Sequence, residues 1–208
     1  MAIVCYRFVT YRICYYSIIY CIAHMGGGIE ILIESLWLSL PLYVANMTPV
    51  FIKGVSLFSA PIDLGHTFGG KPIFGPHKTY RGLFFGTLGA IATVYLQLVL
   101  VEHYELVREY SLIAYADVSW FVLGALFGAG ALCGDLVESF FKRRVNIKSG
   151  RSWLFFDQID YVIGGLVFLS IIFIPSFVHM MSMMALGVAL SFGASFVGYY
   201  LGLKHSRV

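Results

Sequence analysis

The sequence predicts an all-α integral membrane protein with about five transmembrane helices and two long cytoplasmic loops. Of its 208 residues, 59% are hydrophobic and only 12% are charged, against roughly 25% charged residues in soluble domains. The mean hydropathy is +0.83, and the period-two alternation of a membrane β-barrel is absent. This composition excludes a soluble enzyme, a disordered segment and a secreted disulfide scaffold.

Five apolar stretches are long enough to cross about 30 Å of hydrocarbon, which takes roughly 20 helical residues. They are residues 31–52, 83–101, 112–134, 161–179 and 181–203. The first contains Pro41, Asn46 and Pro49. We expect a kinked or broken helix there, because proline removes a backbone hydrogen bond. Residues 25–208 are therefore expected to form a single transmembrane domain.

Residues 1–24 fit this pattern poorly. Arg7 and Arg12 interrupt them, and the uncharged run Ile13–Ala23 has the length of a signal-peptide core rather than of a span. Three interpretations are open: a sixth helix, a signal-like leader, or an upstream artefact with translation starting at Met25. We favour the artefact or a dispensable extension.

The basic residues predict which loops face the cytoplasm. Of the 14 Lys and Arg residues, 11 lie in residues 53–81, in residues 142–151 and in the C-terminal tail. Residues 102–110 carry three Glu and a single Arg, and the 176–182 turn has neither Lys nor Arg. The positive-inside rule therefore places the three basic regions in the cytoplasm.

Glycines four residues apart predict close helix packing. Such pairs include Gly82/Gly86, Gly124/Gly128 and Gly198/Gly202. Packing within one chain is the first interpretation, and a homodimer contact is the second. The four cysteines have neither zinc-site nor disulfide-framework spacing.

The first long cytoplasmic loop, residues 59–82, is rich in Gly and Pro and is therefore irregular. It contains three cations and two candidate hydrogen-bond donors: Lys71, Lys78, Arg81, His66 and His77. Irregular glycine-rich backbone can present N–H groups to phosphate. A basic loop is also what the topology alone requires, so both interpretations stay open.

The second cytoplasmic stretch follows the third span. If that span continues as a helix, four polar residues share one face: Asp135, Glu138, Ser139 and Lys142. Asp157 and Asp160 share a face at the start of the next helix. Two antiparallel helices can thus bring Asp135 and Asp160 together, where the pair would repel unless a cation lies between them.

Carboxylates at a membrane surface suit Mg²⁺, which usually binds one or two carboxylates together with phosphate and water. The alternative is that these aspartates pair with Lys142 or Arg143 and only hold the helices together. Acids near a membrane are costly, so we favour a functional Mg²⁺ site at Asp135 and Asp160. Asp117 has no basic partner nearby in sequence and is expected to be structural or interfacial.

The chain resembles the CTP-dependent phosphatidate cytidylyltransferases over about residues 53–165. The resemblance rests on a C-terminal motif made of Gly134-Asp135-Leu136, Ser139, Lys142-Arg143 and Asp157-Gln158-Ile159-Asp160. The family's Lys-Thr-aromatic-x-Gly element is similar to the run Lys78-Thr79-Tyr80-Arg81-Gly82. The short chain and the form Asp-Gln-Ile-Asp-Tyr look most like the archaeal branch, the CDP-archaeol synthases.

Three departures separate the chain from bacterial members of that family. Those members usually have Lys-Asp where this chain has Lys148-Ser149, and Asp-Ser where it has Asp160-Tyr161. They also have a Pro-Gly-His-Gly-Gly run where Gly150-Arg151-Ser152-Trp153 stands. The roles of those bacterial residues are not carried over, and the departures favour the archaeal branch.

The resemblance implies that CTP and a dialkylglycerol phosphate react to give a CDP-lipid and pyrophosphate. In the archaeal branch the acceptor is 2,3-di-O-geranylgeranylglyceryl phosphate and the metal is Mg²⁺. The lipid phosphate is already an anion, so no general base is needed to make the nucleophile. Cations and positioning supply the catalysis, as in other phosphoryl transfers.

The resemblance also assigns roles to individual residues. Asp135 and Asp160 are expected to hold Mg²⁺, with Asp157 acting through water or orienting a basic group. The triphosphate is expected to be neutralised by Lys142, Arg143 and Lys148. Lys78 is expected to clamp the lipid phosphate or close over CTP, and the further substrate contacts are Lys71, Thr79, Arg81 and Ser139.

The sequence has three alternative functional interpretations. A small anion transporter or channel would use the basic loops as a vestibule and the proline-rich first span as its binding site. A phosphatidate cytidylyltransferase acting on ester lipids belongs to the same reaction class. A CDP-alcohol phosphotransferase is disfavoured, because its Asp-Gly-x-x-Ala-Arg pattern is missing. No nucleic-acid partner is predicted.

Overall fold

The computed structural model describes residues 27–52, 54–149, 151, 153 and 156–200, except for the side chains of 116 and 194–200. Within them it contains α1 (Gly28–Phe51), α2 (Tyr80–His103), α3 (Glu105–Glu109), α4 (Trp120–Arg144), α5 (Phe156–Leu169) and α6 (Phe177–Tyr200). An antiparallel pair, β1 (Thr67–Phe68) and β2 (Lys71–Pro72), lies between α1 and α2. The N-terminal extension, residues 1–24, lies outside the described residues.

The predicted all-α membrane architecture is confirmed. Among the described residues, three helices are long and apolar enough to cross a membrane, namely α1, α2 and α4. α6 contributes a shorter apolar stretch, Phe177–Gly193. α5 has 14 residues, which span only about 21 Å at the rise of an α-helix.

The prediction of the fourth span, residues 161–179, is wrong at its C-terminal end. Its helix stops at Leu169, and the chain turns over residues 170–176 before α6 starts at Phe177. Pro175 disfavours helix in the residue before it, and this explains why the apolar run is not one continuous helix.

The predicted third span, residues 112–134, is displaced along the chain. α4 begins at Trp120 and continues to Arg144, while the preceding residues form an irregular segment with a 3₁₀ turn at Tyr115–Asp117. Buried Tyr115 anchors that segment to α2. Asp117 is exposed in this turn and is not part of the span.

α1 runs through both of its prolines, so the prediction of a broken helix is wrong and a kink stays a prediction. Pro41 leaves the carbonyl oxygen of Trp37 without its helical donor. That oxygen accepts a hydrogen bond from Gln97 Nε2 of α2 at 2.6 Å. The Tyr115 hydroxyl donates to Gln97 Oε1 at 3.1 Å. A side chain of α2 therefore replaces the missing backbone bond.

The glycine rows pack against neighbouring helices of the same chain. A Cβ at Gly86 would lie 2.8 Å from a backbone carbonyl of α1, and a Cβ at Gly128 would lie 2.6 Å from a backbone atom of α2. The third pair, Gly198/Gly202, lies beyond the residues whose surroundings are described. A homodimer therefore stays a proposal.

The helices share one apolar core. α4 packs most extensively on α5 and α2, and α1 packs on α2 and α6. The large side chains with almost no exposed surface include Leu42, Leu123, Phe127, Tyr161, Leu169 and Met183. Many apolar side chains on the outer faces are exposed, among them Leu88, Leu96 and Phe121, as expected for helices surrounded by lipid.

A polar pair ties α1 to α6 inside this core. Glu34 Oε2 lies 2.8 Å from His179 Nε2, and both residues are buried. His179 Nδ1 lies 2.6 Å from the hydroxyl of Ser176, just before α6. No local sequence pattern indicates this pair, because its members are 145 positions apart.

Candidate active site

The candidate site lies where α4 and α5 approach most closely. A Cβ at Gly134 would collide with the backbone carbonyl of Asp160, and a Cβ at Gly164 would collide with that of Gly130. The two backbones are therefore at a separation that only glycine permits. This contact places Asp135 of α4 beside Asp160 of α5.

Three carboxylates meet at this contact. Asp135 and Glu138 are one turn apart on α4, and Asp160 lies in the first turns of α5. One oxygen of each lies within 4.8 Å of the other two. The structure thus brings Asp135 and Asp160 together and adds Glu138, which is buried, to the pair.

Lys78 reaches the carboxylates from the first loop. Its Nζ lies 2.6 Å from both carboxylate oxygens of Asp135. Thr79 caps α2, because its hydroxyl accepts a hydrogen bond from the Gly82 N–H at 3.2 Å. The Ile62 N–H donates to the Lys78 carbonyl at 2.8 Å. The junction between loop and helix therefore fixes the base of the Lys78 side chain.

Lys142 lies between two acids. Its Nζ is 2.9 Å from Glu138 Oε1 on the same helix and 2.5 Å from Asp157 Oδ1 on α5. Asp157 Oδ2 also accepts a hydrogen bond from the Trp153 N–H at 3.1 Å. The alternative in which Asp135 and Asp160 pair with Lys142 or Arg143 is not the arrangement found among the described residues.

Asp63 organises the loop that carries Lys78. It is only 6% exposed, and its carboxylate accepts hydrogen bonds from the N–H groups of Gly75 at 2.8 Å, Phe74 at 3.0 Å and Gly65 at 3.2 Å. Burial raises the pKa of the Asp63 carboxyl, but these donors outweigh burial and leave its pKa below the ordinary value. The N–H of Gly75 is thus committed to Asp63 rather than to phosphate.

Two predicted substrate cations bind backbone carbonyls instead of acids. Lys71 Nζ donates to the Arg144 carbonyl at 2.9 Å, at the C-terminal end of α4. Arg81 Nη1 donates to the Val55 carbonyl. Both contacts lie outside the cluster of carboxylates.

The remaining predicted residues differ in exposure. Ser139 and Arg143 are buried, whereas Lys148 is exposed beyond the end of α4. Arg143 packs near Gly75 of the first loop, and its Nε has no hydrogen-bond partner among the described residues. Of these three, Arg143 is thus a buried cation with unused donor capacity.

Sequence reasoning missed three contributors to the site. The sequence pattern places Glu138 on the correct helix face, and its i+3 spacing from Asp135 is the signal that it can join the pair. Asp63 had the Asp-x-Gly pattern of an Asx turn as its signal. Gly164 lies in an apolar run and showed no signal beyond its residue type.

The charges of the cluster do not balance. When ionised, the carboxylates of Asp135, Glu138, Asp157 and Asp160 face the ammonium groups of Lys78 and Lys142, which leaves two excess negative charges. Hard oxygen donors at this spacing fit a divalent cation such as Mg²⁺, whose ligands are carboxylates, phosphate and water. The donor set therefore can bind a divalent metal ion.

Comparison with known proteins agrees with this chemistry. Residues 28–207 match the family model described as "CarS-like: CDP-archaeol synthase". The CDP-archaeol synthase of Methanococcus maripaludis strain C7 is 34% identical over 84% of this chain and 95% of that protein. The Archaeoglobus fulgidus protein of the same name is 33% identical over 85% and 97%, and the Methanocaldococcus jannaschii protein is 40% identical over 67% and 76%.

A solved structure has the same overall arrangement. It is described as an intramembrane enzyme for archaeal membrane lipids biosynthesis, and the two structures superpose with a TM-score of 0.64 at 28% identity. The match covers 79% of this chain and 94% of the other. The protein is thus a multi-pass integral membrane enzyme, and the resemblance noted in its motifs is confirmed: the chain belongs to the CDP-archaeol synthase family.

Proposed function

We propose that the protein transfers the cytidylyl group of CTP to 2,3-di-O-geranylgeranylglyceryl phosphate, giving CDP-archaeol and pyrophosphate, with Mg²⁺ as the metal. The observation that carries this proposal is the cluster of Asp135, Glu138 and Asp160, whose oxygens lie within 4.8 Å of one another. Lys78 and Lys142 flank it. Such a set of acids and cations suits a polyanionic substrate.

The reaction needs neutralisation more than proton transfer. An oxygen of the lipid phosphate attacks the α-phosphorus of CTP, and the bond from that phosphorus to the oxygen bridging to the β-phosphate breaks. Pyrophosphate leaves with the electron pair of that bond. Because nucleophile and electrophile are both anionic, the main barrier is their approach, which fixed cations lower.

Asp135, Glu138 and Asp160 would hold the Mg²⁺ ion. When bound there, Mg²⁺ supplies Lewis-acid polarisation of the phosphate oxygens and a template for the triphosphate. Asp157 keeps Lys142 in place through their 2.5 Å ion pair, which supports a positioning role for this acid.

The cations around the proposed Mg²⁺ site form two groups. Lys142 and the buried Arg143 belong to α4 and would face the triphosphate, with exposed Lys148 beside them. Lys78 belongs to the first loop, residues 59–82. Its ammonium group would leave one oxygen of Asp135 and contact the lipid phosphate instead. Ser139, buried on the same face of α4, would add a hydroxyl contact.

The active site is proposed to face the cytoplasm, where CTP is available. The support is the positive-inside rule, since the described residues of the basic segments 53–81 and 142–151 contact one another beside the site. Lys71, Thr79 and Arg81 stay weaker candidates for substrate contact, because each already binds backbone. A homodimer stays a proposal without support from the described packing.

Purified protein in detergent tests the proposed reaction. We expect Mg²⁺-dependent release of pyrophosphate from labelled CTP only when a lipid phosphate is added, with the ether-linked geranylgeranyl acceptor preferred over ester-linked phosphatidic acid. Preference for the ester lipid would assign the second cytidylyltransferase activity instead. An anion transporter would release no pyrophosphate and would show activity only in sealed vesicles.

A further inference from the structure

The β1–β2 hairpin lies against the end of α4, on a different helix face from Asp135 and Glu138. Its turn residues Gly69 and Gly70 both have positive φ, +58° and +73°, the conformation of a tight two-residue hairpin turn. Arg144 binds the carbonyl oxygens of Phe68, Lys71 and Pro72. The end of α4 thus holds the hairpin by its backbone.

An apolar surface continues from the hairpin onto α4. Phe68 is 63% exposed, yet its ring lies 6.1 Å from the ring of Phe140. The Arg144 guanidinium lies over both rings, at 5.4 Å and 4.9 Å. Val137 and Phe141, also exposed, extend this surface along α4. We call Phe68, Val137, Phe140, Phe141 and Arg144 the hairpin patch.

The length of α4 gives the level of this patch in the membrane. Trp120 starts the helix and packs on Tyr95, as in the aromatic belts of membrane proteins. From Trp120, a helix needs about 20 residues to cross the hydrocarbon, and the twentieth step is Phe140. Phe140 and its neighbour Phe68 therefore lie at the boundary between hydrocarbon and headgroups.

The charges of the patch suit an anionic surface. Lys71 Nζ and Arg144 lie side by side, and both bind backbone carbonyl oxygens. Within the part of the chain that the structure describes, neither has a carboxylate at ion-pair distance. Two unneutralised cations beside exposed aromatic rings suit the bilayer surface, where the cations can contact lipid phosphates and the rings can contact the first acyl carbons.

We propose that the β1–β2 hairpin is an interfacial anchor, in which Phe68 inserts into the headgroup boundary of the bilayer and Lys71 and Arg144 contact lipid phosphates. The occupant of the hairpin patch is the bilayer itself, because the patch is continuous with the lipid-facing side of α4. Lys71 thereby serves the membrane rather than CTP.

Spin labels in lipid nanodiscs test this anchor. The full chain, with its four cysteines replaced by alanine, receives a single labelled cysteine by Phe68→Cys or, as matched control, by Thr67→Cys, because alternate strand residues point to opposite faces. We expect a severalfold higher ratio of collisions with oxygen to collisions with a water-soluble nickel complex at residue 68 than at residue 67. Equal ratios would overturn the proposal.

The same nanodiscs distinguish a bilayer anchor from a docking surface for a protein partner. They contain no other protein, so a patch built for a protein partner would leave residue 68 as accessible to the nickel complex as residue 67. Phe68→Trp keeps an aromatic ring and gives a second measurement: brominated lipids should quench this added fluorescence, but not that of Thr67→Trp. Replacing phosphatidylglycerol by phosphatidylcholine should lower the ratio at residue 68, and no change would overturn the role of Lys71 and Arg144.

Discussion

At the scale of single residues, Asp135 and Asp160 form the proposed metal site with Glu138. Asp135→Asn or Asp160→Asn removes one charged ligand, and we expect each to lower kcat at least about 100-fold, since metal stabilisation amounts to several kcal/mol. Pyrophosphate release measures the effect. Asp117→Asn, at an exposed aspartate remote in sequence, is the control. Activity near that of the wild type in both variants would reject the metal assignment.

Lys142 has two possible roles that an experiment can separate: contact with the triphosphate of CTP, and a purely structural ion pair with Glu138 and Asp157. Lys142→Met leaves Glu138 and Asp157 facing each other without a cation, and we expect this to cost about 3–5 kcal/mol of stability and to raise the KM for CTP. Adding Asp157→Asn removes the repulsion without altering a proposed metal ligand, so the melting temperature should recover part of the loss.

Activity should not recover in the double variant if Lys142 contacts the triphosphate. Full recovery of the KM for CTP together with the melting temperature would show that Lys142 is only structural. CTP-dependent pyrophosphate release and thermal melting, measured on the same preparations, distinguish the two results.

Asp63 supports the loop through three N–H donors. Asp63→Asn places an amide donor against some of them, and we expect a loss of about 1–3 kcal/mol at neutral pH. Since the folded pKa of Asp63 is lowered, its contribution is present above the ordinary carboxyl pKa of about 4 and is lost as pH falls through the folded pKa.

The pH dependence of the melting temperature tests whether the stabilisation by Asp63 is lost on acidification, as expected. The difference in melting temperature between wild type and Asp63→Asn should be constant near neutral pH and shrink in the acid range. A difference that grows on acidification would contradict the assignment. Asp117→Asn, which alters an exposed aspartate, corrects for general charge effects.

At the scale of elements, the approach of α4 to α5 decides the site. Gly134→Ala adds a methyl group that collides with the Asp160 carbonyl, so the helices must separate. We expect a loss of about 1–3 kcal/mol of stability, as for other overpacked sites, with a larger loss of activity. Gly193→Ala, where a Cβ meets no atom within 4 Å, is the matched control. Wild-type activity in Gly134→Ala would show that the separation of α4 and α5 is not critical.

At the scale of the whole molecule, the orientation in the membrane follows from the loop charges. In a variant without native cysteines, we expect Lys148→Cys to react with a membrane-impermeant maleimide from the cytoplasmic side only. Glu105→Cys, exposed on α3, should react from the opposite side. Labelling of both positions from one side would overturn the proposed topology and the cytoplasmic site.

The sequence by itself determined the membrane class and the chemistry of the acids. Hydropathy is a property of each residue, and the i, i+3 spacing of Asp135 and Glu138 needs only a local helix. It also predicted where α5 begins, since Asp157 and Asp160 fall in its first turns. The predicted ends of the third and fourth spans were wrong, because apolar composition does not show where a turn interrupts an apolar run.

Only the tertiary structure decided which charges pair. Lys78 contacts Asp135 across 57 positions of sequence, and this pairing depends on the loop path that Asp63 fixes. The carboxylates meet because Gly134 and Gly164 let two backbones approach. Such contacts depend on distances in space that no local sequence pattern encodes. The charged residues of the site could therefore be predicted from the sequence, but the residues they pair with could not.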